Sequence, residues 1–303
     1  MAITRSQLLK ELEPGLNALF GLEYDRYDNE HKEIFDEESS ERAFEEEVML
    51  YGFEQAPVKG EGSAIAYDQA GEAFTARYTH ETVALAFAIT EEAVEDNLYD
   101  KLSARYTRAL ARSMSNTKQV KAAAVLNNAF SSSYPGGDAV SLVNSAHPTA
   151  MGGNWSNTLA TQADLNETSL EQALIDISLF IDERGLKIAL RGMKLILPPQ
   201  LQFTAQRLLK SEQRVGTADN DINAIMSTAG GLPEGYMVND FLTSPYAWFL
   251  LTNIDGLSYM ERVKFETDMQ VDFVTDNLLV KGYERYSFGY YNWRSIYGSF
   301  PTS

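Results

Sequence analysis

The sequence contains no cysteine among its 303 residues and only three histidines. The absence of cysteine excludes disulfides, thiolate metal sites and thiol nucleophiles, so stability must come from packing and association. The histidines lie in unrelated contexts without a second ligand at helical spacing, and zinc or iron sites need converging ligands. We expect His147, which precedes Pro148, in a turn, and we expect His80 to be structural.

Basic residues are scarce. The chain has 25 Lys and Arg against 43 Asp and Glu, which gives a net charge of -18 and a pI of about 4.6. Proteins that read nucleic acid directly cluster Lys and Arg against the phosphates, so we expect no such readout here. Residues 1–61 alone hold sixteen acidic and six basic residues. Such a charge run is typical of a solvated face or a flexible arm.

Long apolar runs are also missing. No stretch reaches the roughly 18 apolar residues that span a bilayer, and residues 1–10 lack the apolar run of a signal peptide. We therefore expect a soluble chain that is made in the cytoplasm and does not associate with a membrane.

Catalytic and ligand-binding signatures are absent as well. The chain has no G-x-S-x-G motif, and "KGEGS" around residue 60 lacks the strand and helix that flank a phosphate loop. The acidic groups at Asp25 with Asp28 and at residues 45–47 lack the ligand order and central glycine of an EF-hand. The sequence thus predicts no catalytic residue, no cofactor and no metal site, and the protein is not expected to be an enzyme.

The first 90 residues combine an acidic arm with a hairpin pattern. Residues 1–49 predict helical fragments broken at Pro14 and Gly15. Residues 53–72 are small residues and turn formers, whereas residues 73–90 alternate in a way that favours an extended strand. With residues 51–58 as the outgoing limb, this predicts a long hairpin with a polar tip. Isolated hairpins are marginal in water, so the hairpin needs a neighbour. The arm also carries an apolar stripe formed by Leu8, Leu9, Leu12, Leu16 and Phe20.

A long helix is predicted next. Residues 90–130 contain neither Gly nor Pro, and Thr90 is suited to cap the helix. Apolar residues recur every fourth position and define one helical face. At 1.5 Å per residue the helix would approach about 60 Å, unless residues 115–117 interrupt it. The stripe consists of Val94, Leu98, Leu102, Tyr106, Leu110 and Met114.

The second half predicts shorter elements. Residues 131–167 are rich in turn formers, and Thr168 with Glu171 resembles a capping box that opens a helix ending near Gly185. An apolar strand at residues 193–198, a proline turn and a helix form an α/β unit. A polar loop at 210–235 precedes strands at 236–242, at 247–253 and along 257–300, where three aromatic residues alternate on one strand face. These are Tyr286, Phe288 and Tyr290.

The order of these elements resembles the major capsid proteins of tailed bacteriophages. "AGEAFTARYTHETVALAFAITEEAVEDNLYD" resembles the returning limb of that family's extended loop running into its spine helix. "HPTAMGGNWSNTLATQADLNETSLEQAL" and "GMKLILPPQL" resemble the entry to the axial domain and its strand with a proline turn, and "DNLLVKGYERYSFGYYNWRSIYGS" resembles the final strands.

The resemblance implies an α+β fold of the Hong Kong 97 type and five segments. These are an N-terminal arm (1–49), an extended loop (50–82), a peripheral domain with the spine helix (83–165), an axial domain (166–254) and returning peripheral strands (255–303). It implies a virion subunit that forms pentamers and hexamers of an icosahedral head around double-stranded DNA, without sequence-specific binding, and that assembles in the host cytoplasm. The expected partners are other copies of the chain, portal and scaffolding proteins, and a decoration protein. Because the arm begins at Met1, we expect a separate scaffolding protein or an earlier cleavage.

Contacts between subunits are expected from the hairpin, the arm and the polar loop. The residues predicted to make them are Lys59, Glu61, Tyr67, Asp68, Glu72, Leu8, Leu12, Arg214 and Asp219. Two other interpretations of the sequence remain open. One is an encapsulin-type nanocompartment shell around a protein cargo, and the other is a soluble enzyme with an unrecognised carboxylate site.

Overall fold

The computed structural model describes residues 19–24, 26, 29–90, 92, 99–150, 152–212, 222–226, 231–272 and 274–301. Helices and strands are mixed along the chain, and residues 19–24 are also helical. The longer helices are α1 (Tyr99–Asn127), α2 (Glu167–Ser178) and α3 (Gln202–Lys210). Short 3-10 helices lie at Glu30–Glu33, Pro199–Leu201, Ala224–Met226 and Trp293–Ser295. The strands are β1 (Asp36–Ser39), β2 (Phe44–Tyr51), β3 (Gly71–Thr79), β4 (Glu81–Ile89), β5 (His147–Pro148), β6 (Asn154–Trp155), β7 (Gly192–Leu197), β8 (Tyr236–Val238), β9 (Trp248–Thr252), β10 (Leu257–Val271), β11 (Leu278–Tyr290) and β12 (Ile296–Ser299).

The chain divides into two compact units, each assembled from three separate segments. Unit 1 comprises Met1–Phe44, Thr79–Ala122 and Tyr259–Phe288. Unit 2 comprises Glu45–Tyr78, Ala123–Ser258 and Gly289–Ser303. The division into an arm, an extended loop, and peripheral and axial domains stays a prediction.

Unit 1 contains a four-stranded sheet in the order β1-β10-β11-β4. β11 and β4 are antiparallel, in register from Leu278 opposite Ile89 to Tyr286 opposite Glu81. One side of this sheet is covered by α1, whose apolar residues pack against the buried side chains of β4, β11 and the helical residues 19–24. That core consists of Phe20, Ile89, Leu110, Ala111, Met114, Leu278 and Val280.

Helix α1 confirms the prediction of a long helix. It is continuous through residues 115–117, where the sequence left an interruption open, and its 29 residues from Tyr99 to Asn127 span about 44 Å. Leu110 and Met114 of the predicted stripe are buried, whereas Tyr106 is 48% exposed. Most of the predicted first turns, residues 91 and 93–98, lie outside the described residues.

A buried ion pair joins α1 to β11. Nζ of Lys118 lies 2.8 Å from Oε2 of Glu284, and both side chains are almost fully buried. The hydroxyl of Tyr24 donates to the same oxygen at 2.8 Å, and Lys118 also donates to the hydroxyl of Tyr259 at 3.1 Å. Burial raises the pKa of Glu284, while the charge of Lys118 acts in the opposite direction. Buried charges are tolerated when they are paired and hydrogen-bonded, so this network ties the helical residues 19–24 to the rest of unit 1.

His31 is buried next to this ion pair and is held as a neutral ring. Oε1 of Gln119 accepts a hydrogen bond from the backbone N–H of His31 at 3.2 Å, and Nε2 of Gln119 lies 3.1 Å from Nδ1 of the ring. Since an amide nitrogen only donates, Nδ1 must be the acceptor. Burial, and then the charge of Lys118, lowers the pKa of His31 from 6.5 to about 4.

This shift predicts that unit 1 loses stability in acid. Between about pH 6.5 and pH 4 the unfolded chain binds a proton at His31 that the folded chain does not bind, so the free energy of unfolding falls as the pH falls. The His31→Gln variant lacks this proton and should show a weaker pH dependence, by about 1–3 kcal/mol over this window. Thermal unfolding of both proteins across this pH range measures the difference in pH dependence. Equal pH slopes would show that the pKa of His31 is not lowered in the folded chain.

Unit 2 contains a second four-stranded sheet in the order β12-β9-β7-β8. β7 is antiparallel to β9 and parallel to β8, and β12 is antiparallel to β9. The strand, proline turn and helix predicted around residue 198 are confirmed as β7, the 3-10 helix at Pro199–Leu201, and α3. The core between this sheet and helices α2 and α3 includes Leu170, Ala173, Ile177, Leu195, Leu197, Ala205, Trp248 and Leu250.

The predicted capping box of α2 is wrong. Oδ1 of Asn166 accepts from the backbone N–H of Ser169 at 2.9 Å, and the Ser169 hydroxyl accepts from the backbone N–H of Asn166 at 3.0 Å. Asn166 is extended, with φ -143° and ψ 175°, so the chain enters the helix before Thr168. The helix also ends at Ser178 rather than near Gly185, because the following residues form a turn in which Gly185 has φ +83°.

Several N-terminal strand predictions are wrong as well. Residues 36–39 and 44–49 were predicted as helical fragments, but they lie in strands β1 and β2. The outgoing limb of the hairpin is therefore β2 rather than residues 51–58, and it pairs with β3. The single strand predicted over residues 73–90 is divided at His80 into β3 and β4, which belong to different sheets.

Two histidines have structural roles. The buried His80 lies between hydroxyl groups, with Nε2 2.8 Å from Ser40 Oγ and Nδ1 3.0 Å from Ser287 Oγ. His147 lies in strand β5 and not in the predicted turn, and it is fully buried. Its Nδ1 is 2.6 Å from Asp138 Oδ2, and its ring stacks on Trp293 at 4.3 Å. Both histidines connect distant segments within one unit.

Candidate assembly surface

Residues 52–70, between β2 and β3, form an exposed loop that has no regular secondary structure apart from a turn at its tip. The turn is closed by Ser63, whose backbone N–H and hydroxyl donate to the carbonyl of Gly60 at 3.2 Å and 2.7 Å. Gly62 has φ +74°, a conformation that glycine adopts without strain. The two glycines of "KGEGS" therefore shape the loop tip.

Large apolar side chains project from this loop into solvent. Val58 is 99% exposed and Tyr67 is 95% exposed, and Ile65 and Phe53 are exposed as well. Burial of apolar area stabilises by about 25 cal/mol per Å², so each of these side chains would gain from a partner surface. Clustered exposed apolar groups of this kind mark interaction sites. The loop is the candidate assembly surface.

Arg184 fixes the base of the exposed loop at both ends. Its Nε donates to the carbonyl of Gly52 at 3.2 Å, and its Nη2 donates to the carbonyl of Gln69 at 2.6 Å. Its guanidinium also pairs with Glu54 and Asp68, at 3.2 Å each. The group lies over the ring of Tyr51, 4.9 Å from the ring centre. A single side chain therefore holds the two ends of the loop together.

Asp68 completes this base. Its carboxylate accepts the backbone N–H groups of Glu54 and Gln69, each at 2.7 Å. These hydrogen bonds, with the nearby charge of Arg184, lower the pKa of Asp68 below its usual value. The carboxylate is therefore ionised at neutral pH, and the loop base weakens only in strong acid, as the pH falls below the usual range of an Asp carboxyl.

A buried ion pair anchors the segment that carries Arg184. The neighbouring Glu183 points into unit 2, where its Oε1 accepts from Nη1 of Arg294 at 2.7 Å, and both side chains are only 3% exposed. Its Oε2 accepts from the backbone N–H of Ala150 at 2.7 Å, and Nε of Arg294 donates to the carbonyl of Ile181 at 2.8 Å. Adjacent residues thus face opposite ways, one toward the core and one toward the loop.

The predicted contact residues fall into three groups. Lys59, Glu61 and Tyr67 are exposed on the loop, and Glu72 is exposed in β3. Asp68 differs, because its carboxylate accepts hydrogen bonds within its own chain. Leu8, Leu12, Arg214 and Asp219 lie outside the described residues.

Arg184, Glu183 and Arg294 were missed by the sequence analysis. Arg184 is 116 residues from Asp68, and Arg294 is 111 residues from Glu183. Pairings at such separations leave no periodic pattern. The adjacent opposite charges of Glu183 and Arg184 beside Gly185 were the only local signal.

Replacing Arg184 by alanine should loosen the loop base. The variant loses hydrogen bonds to two carbonyls and two carboxylates, and hydrogen bonds to charged groups contribute about 1.5–3 kcal/mol each when buried. Because the loop-side partners are exposed, we expect a local loss of about 1–2 kcal/mol, which is roughly a tenfold faster amide exchange at residues 52–55 and 67–70. Hydrogen exchange with mass spectrometry measures it.

The matched control is Arg191→Ala. Arg191 is exposed in the same unit, and among the described residues its hydrogen bonds are two backbone contacts with Asn253, which the substitution keeps. It should leave exchange in the loop unchanged. Equal exchange in the Arg184 and Arg191 variants would show that Arg184 does not hold the loop.

Among the residues that the structure describes, no group of three or more His, Asp or Glu side chains could hold a metal ion. Within the same residues, no helix is both long enough and apolar enough to cross a bilayer.

Comparisons with known proteins identify the family. A family model described as phage capsid protein matches residues 73–299, which is most of the chain. The search of curated proteins found no match to this chain. Among solved structures, the procapsid of bacteriophage JBD30 is similar over 99% of this chain and 77% of that chain, with a TM-score of 0.54 at 14% identity.

Two other structures have the same fold. A virus-like particle from Pyrococcus furiosus is similar over 95% of this chain and 98% of that chain, with a TM-score of 0.56 at 10% identity. The structure from Mycobacterium phage Adephagia covers 90% of each chain, with a TM-score of 0.53 at 10% identity. The predicted α+β class and Hong Kong 97 fold are confirmed. The chain has the fold of these capsid structures, and it belongs to the phage capsid protein family.

Proposed function

We propose that the subunit assembles in the host cytoplasm into pentamers and hexamers of an icosahedral head, which encloses double-stranded DNA. The observation that supports this most directly is the exposed loop, which is held at its base by Arg184 while Val58 and Tyr67 project from it. A loop that is fixed at one end and apolar at the other is suited to reach a neighbouring subunit.

The contacts that drive assembly are individually modest and repeated over the shell. Weak contacts let misplaced subunits dissociate, because affinity is tuned mainly through the dissociation rate. The loop tip becomes ordered when a neighbour supplies the buried surface, so shell formation and loop ordering are coupled. Contacts are made by Lys59, Glu61, Tyr67, Asp68 and Glu72 around the hairpin, by Leu8 and Leu12 of the arm, and by Arg214 and Asp219 of the polar loop.

Other partners follow from this role. Portal and scaffolding proteins direct the assembly, a decoration protein binds the outer surface, and DNA is enclosed without sequence-specific binding. The subunit acts as a structural protein and has no catalytic role.

A second candidate is a nanocompartment shell that encloses a protein cargo. The similarity to a virus-like particle from Pyrococcus furiosus, which extends over 98% of that chain, favours it. The two functions differ in what the particle contains, which is DNA in a capsid head and a protein cargo in a nanocompartment.

The experiment is electron microscopy of particles purified from cells that make the full chain, with nuclease treatment followed by analysis of the contents. Icosahedral shells that protect long DNA support the capsid head. Shells without DNA that carry a second protein in constant ratio support the nanocompartment. A uniform small oligomer under assembly conditions contradicts both.

A further inference from the structure

The region around helix α1 departs from the acidic character of the chain. Acidic residues number 43 in 303, about one in seven, yet none occurs from Lys101 to Gly137. The same stretch contains six Lys and Arg. Electrostatic potential depends on the local distribution of charge, so a chain of net charge -18 can carry a basic surface here.

The basic residues of α1 converge on one exposed face. Arg105, Arg108 and Arg112 are spaced by three and four residues, which places them next to one another along the helix. All three are exposed. Arg26 is also exposed, and Arg26, Arg108 and Arg112 border an open groove of about 640 Å³. The described residues that line the groove are Glu23, Arg26, Arg108, Ala109, Arg112, Ser113 and Asn116.

The groove offers mainly hydrogen-bond donors. Among the described residues, Glu23 supplies its only carboxylate, and Oε1 of this group lies 3.5 Å from Arg26 and 3.3 Å from Arg108. In the described part of the chain, no carboxylate pairs with Arg105 or Arg112. The described lining therefore holds three guanidinium groups, a hydroxyl, an amide and one carboxylate, and these residues carry a net positive charge. Planar guanidinium groups match the oxygens of phosphate in a bidentate geometry.

We propose that this arginine groove binds the phosphodiester backbone of nucleic acid. The groove is open and the basic stripe continues along α1 to Arg105, which fits a linear polyanion better than a single small anion. None of the described residues that line the groove is aromatic, so none of them stacks on bases, and contacts to phosphate carry no sequence information. This inference rests on the proposed function in one respect: the nucleic acid that the subunit would bind is the DNA enclosed by the shell.

The test measures binding of a fluorescein-labelled DNA duplex of about 30 base pairs to the full chain, kept unassembled at low concentration as checked by light scattering. The double variant Arg108→Gln with Arg112→Gln removes two groove charges. The control, Arg207→Gln with Lys210→Gln, removes two exposed charges from α3 and leaves the same net charge. The groove variant should weaken binding at least tenfold near 50 mM salt and lower the slope of log K against log salt by about 1.8, because each phosphate contact contributes about 0.9. The control should bind as the native chain does.

Equal binding by the two double variants, or no duplex binding by the native chain, overturns the proposal. Displacement of the duplex by polyglutamate at equal charge also overturns it, since the groove would then suit an acidic protein segment. Unchanged thermal unfolding verifies that the groove variant is folded. Arg105→Gln with Arg112→Gln gives a second variant, which breaks no ion pair between described residues. Duplex binding is measured on the unassembled subunit, whereas shell formation is measured by microscopy. The groove proposal can therefore fail while the proposed function holds, and the reverse is also possible.

Discussion

Replacing Val58 and Tyr67 by serine is expected to reduce the yield of assembled shells at least tenfold while the subunit remains folded. The two side chains are 99% and 95% exposed in the chain, so their loss should change the free energy of unfolding by less than about 0.5 kcal/mol. Burial of a side chain of this size contributes about 1.5–3 kcal/mol, and in a shell every subunit would lose it. Sedimentation of the assembly mixture measures the yield.

The control for this prediction is Gln55→Ser with Ala64→Ser, which alters two exposed positions of the same loop without removing a large apolar group. It should assemble as the native chain does. If both double variants assemble normally, the apolar tip of the loop is not an assembly contact.

Replacing Arg294 by methionine is expected to destabilise unit 2 by about 3–5 kcal/mol, because Glu183 would remain buried without its partner. In a chain of this size the loss corresponds to a fall in the melting temperature on the order of 10 °C. Since Glu183 precedes Arg184, amide exchange at residues 52–55 and 67–70 should also rise. Thermal unfolding and hydrogen exchange measure the two effects.

A second substitution tests whether the buried charge causes the loss. Adding Glu183→Gln to Arg294→Met removes that charge and should recover part of the stability. The exposed Arg207→Met serves as the control and should change the stability by less than about 0.5 kcal/mol. A double variant less stable than Arg294→Met alone would show that the unpaired carboxylate is not the cause.

The sequence predicts the fold best where the patterns are long and local. A stretch of forty residues without Gly or Pro predicted α1, and an apolar run followed by two prolines predicted β7, its turn and α3. Alternation at Tyr286 and Phe288 correctly indicated one face of β11, where both rings pack on Tyr259. These signals depend on residues close together in the chain.

Where partners are distant, the sequence was misleading or silent. Phe44–Tyr51 is rich in glutamate and looks helical, yet it forms β2 because β3 supplies a ladder some twenty residues later. The bend at His80 depends on hydroxyl groups from residues 40 and 287. The exposed loop was predicted from its glycines, whereas Arg184, which holds its base, depends on a contact across more than a hundred residues.

The overall charge was misleading in a different way. A net charge of -18 indicated a chain without a surface for phosphate, but an average hides the stretch without acidic residues along α1. A count of charges by segment, together with the helical spacing of Arg105, Arg108 and Arg112, would have predicted this basic face of α1 from the sequence. The groove itself appears only when Arg26 and Glu23 are placed beside the helix.

A density map of the assembled shell, at a resolution that shows side chains, tests the central claim most directly. We predict that the exposed loop of each subunit lies on a neighbouring subunit, with Val58 and Tyr67 buried there and Arg184 still bound to the loop base of its own chain. A closed shell in which residues 52–70 of every subunit project into solvent would contradict this account.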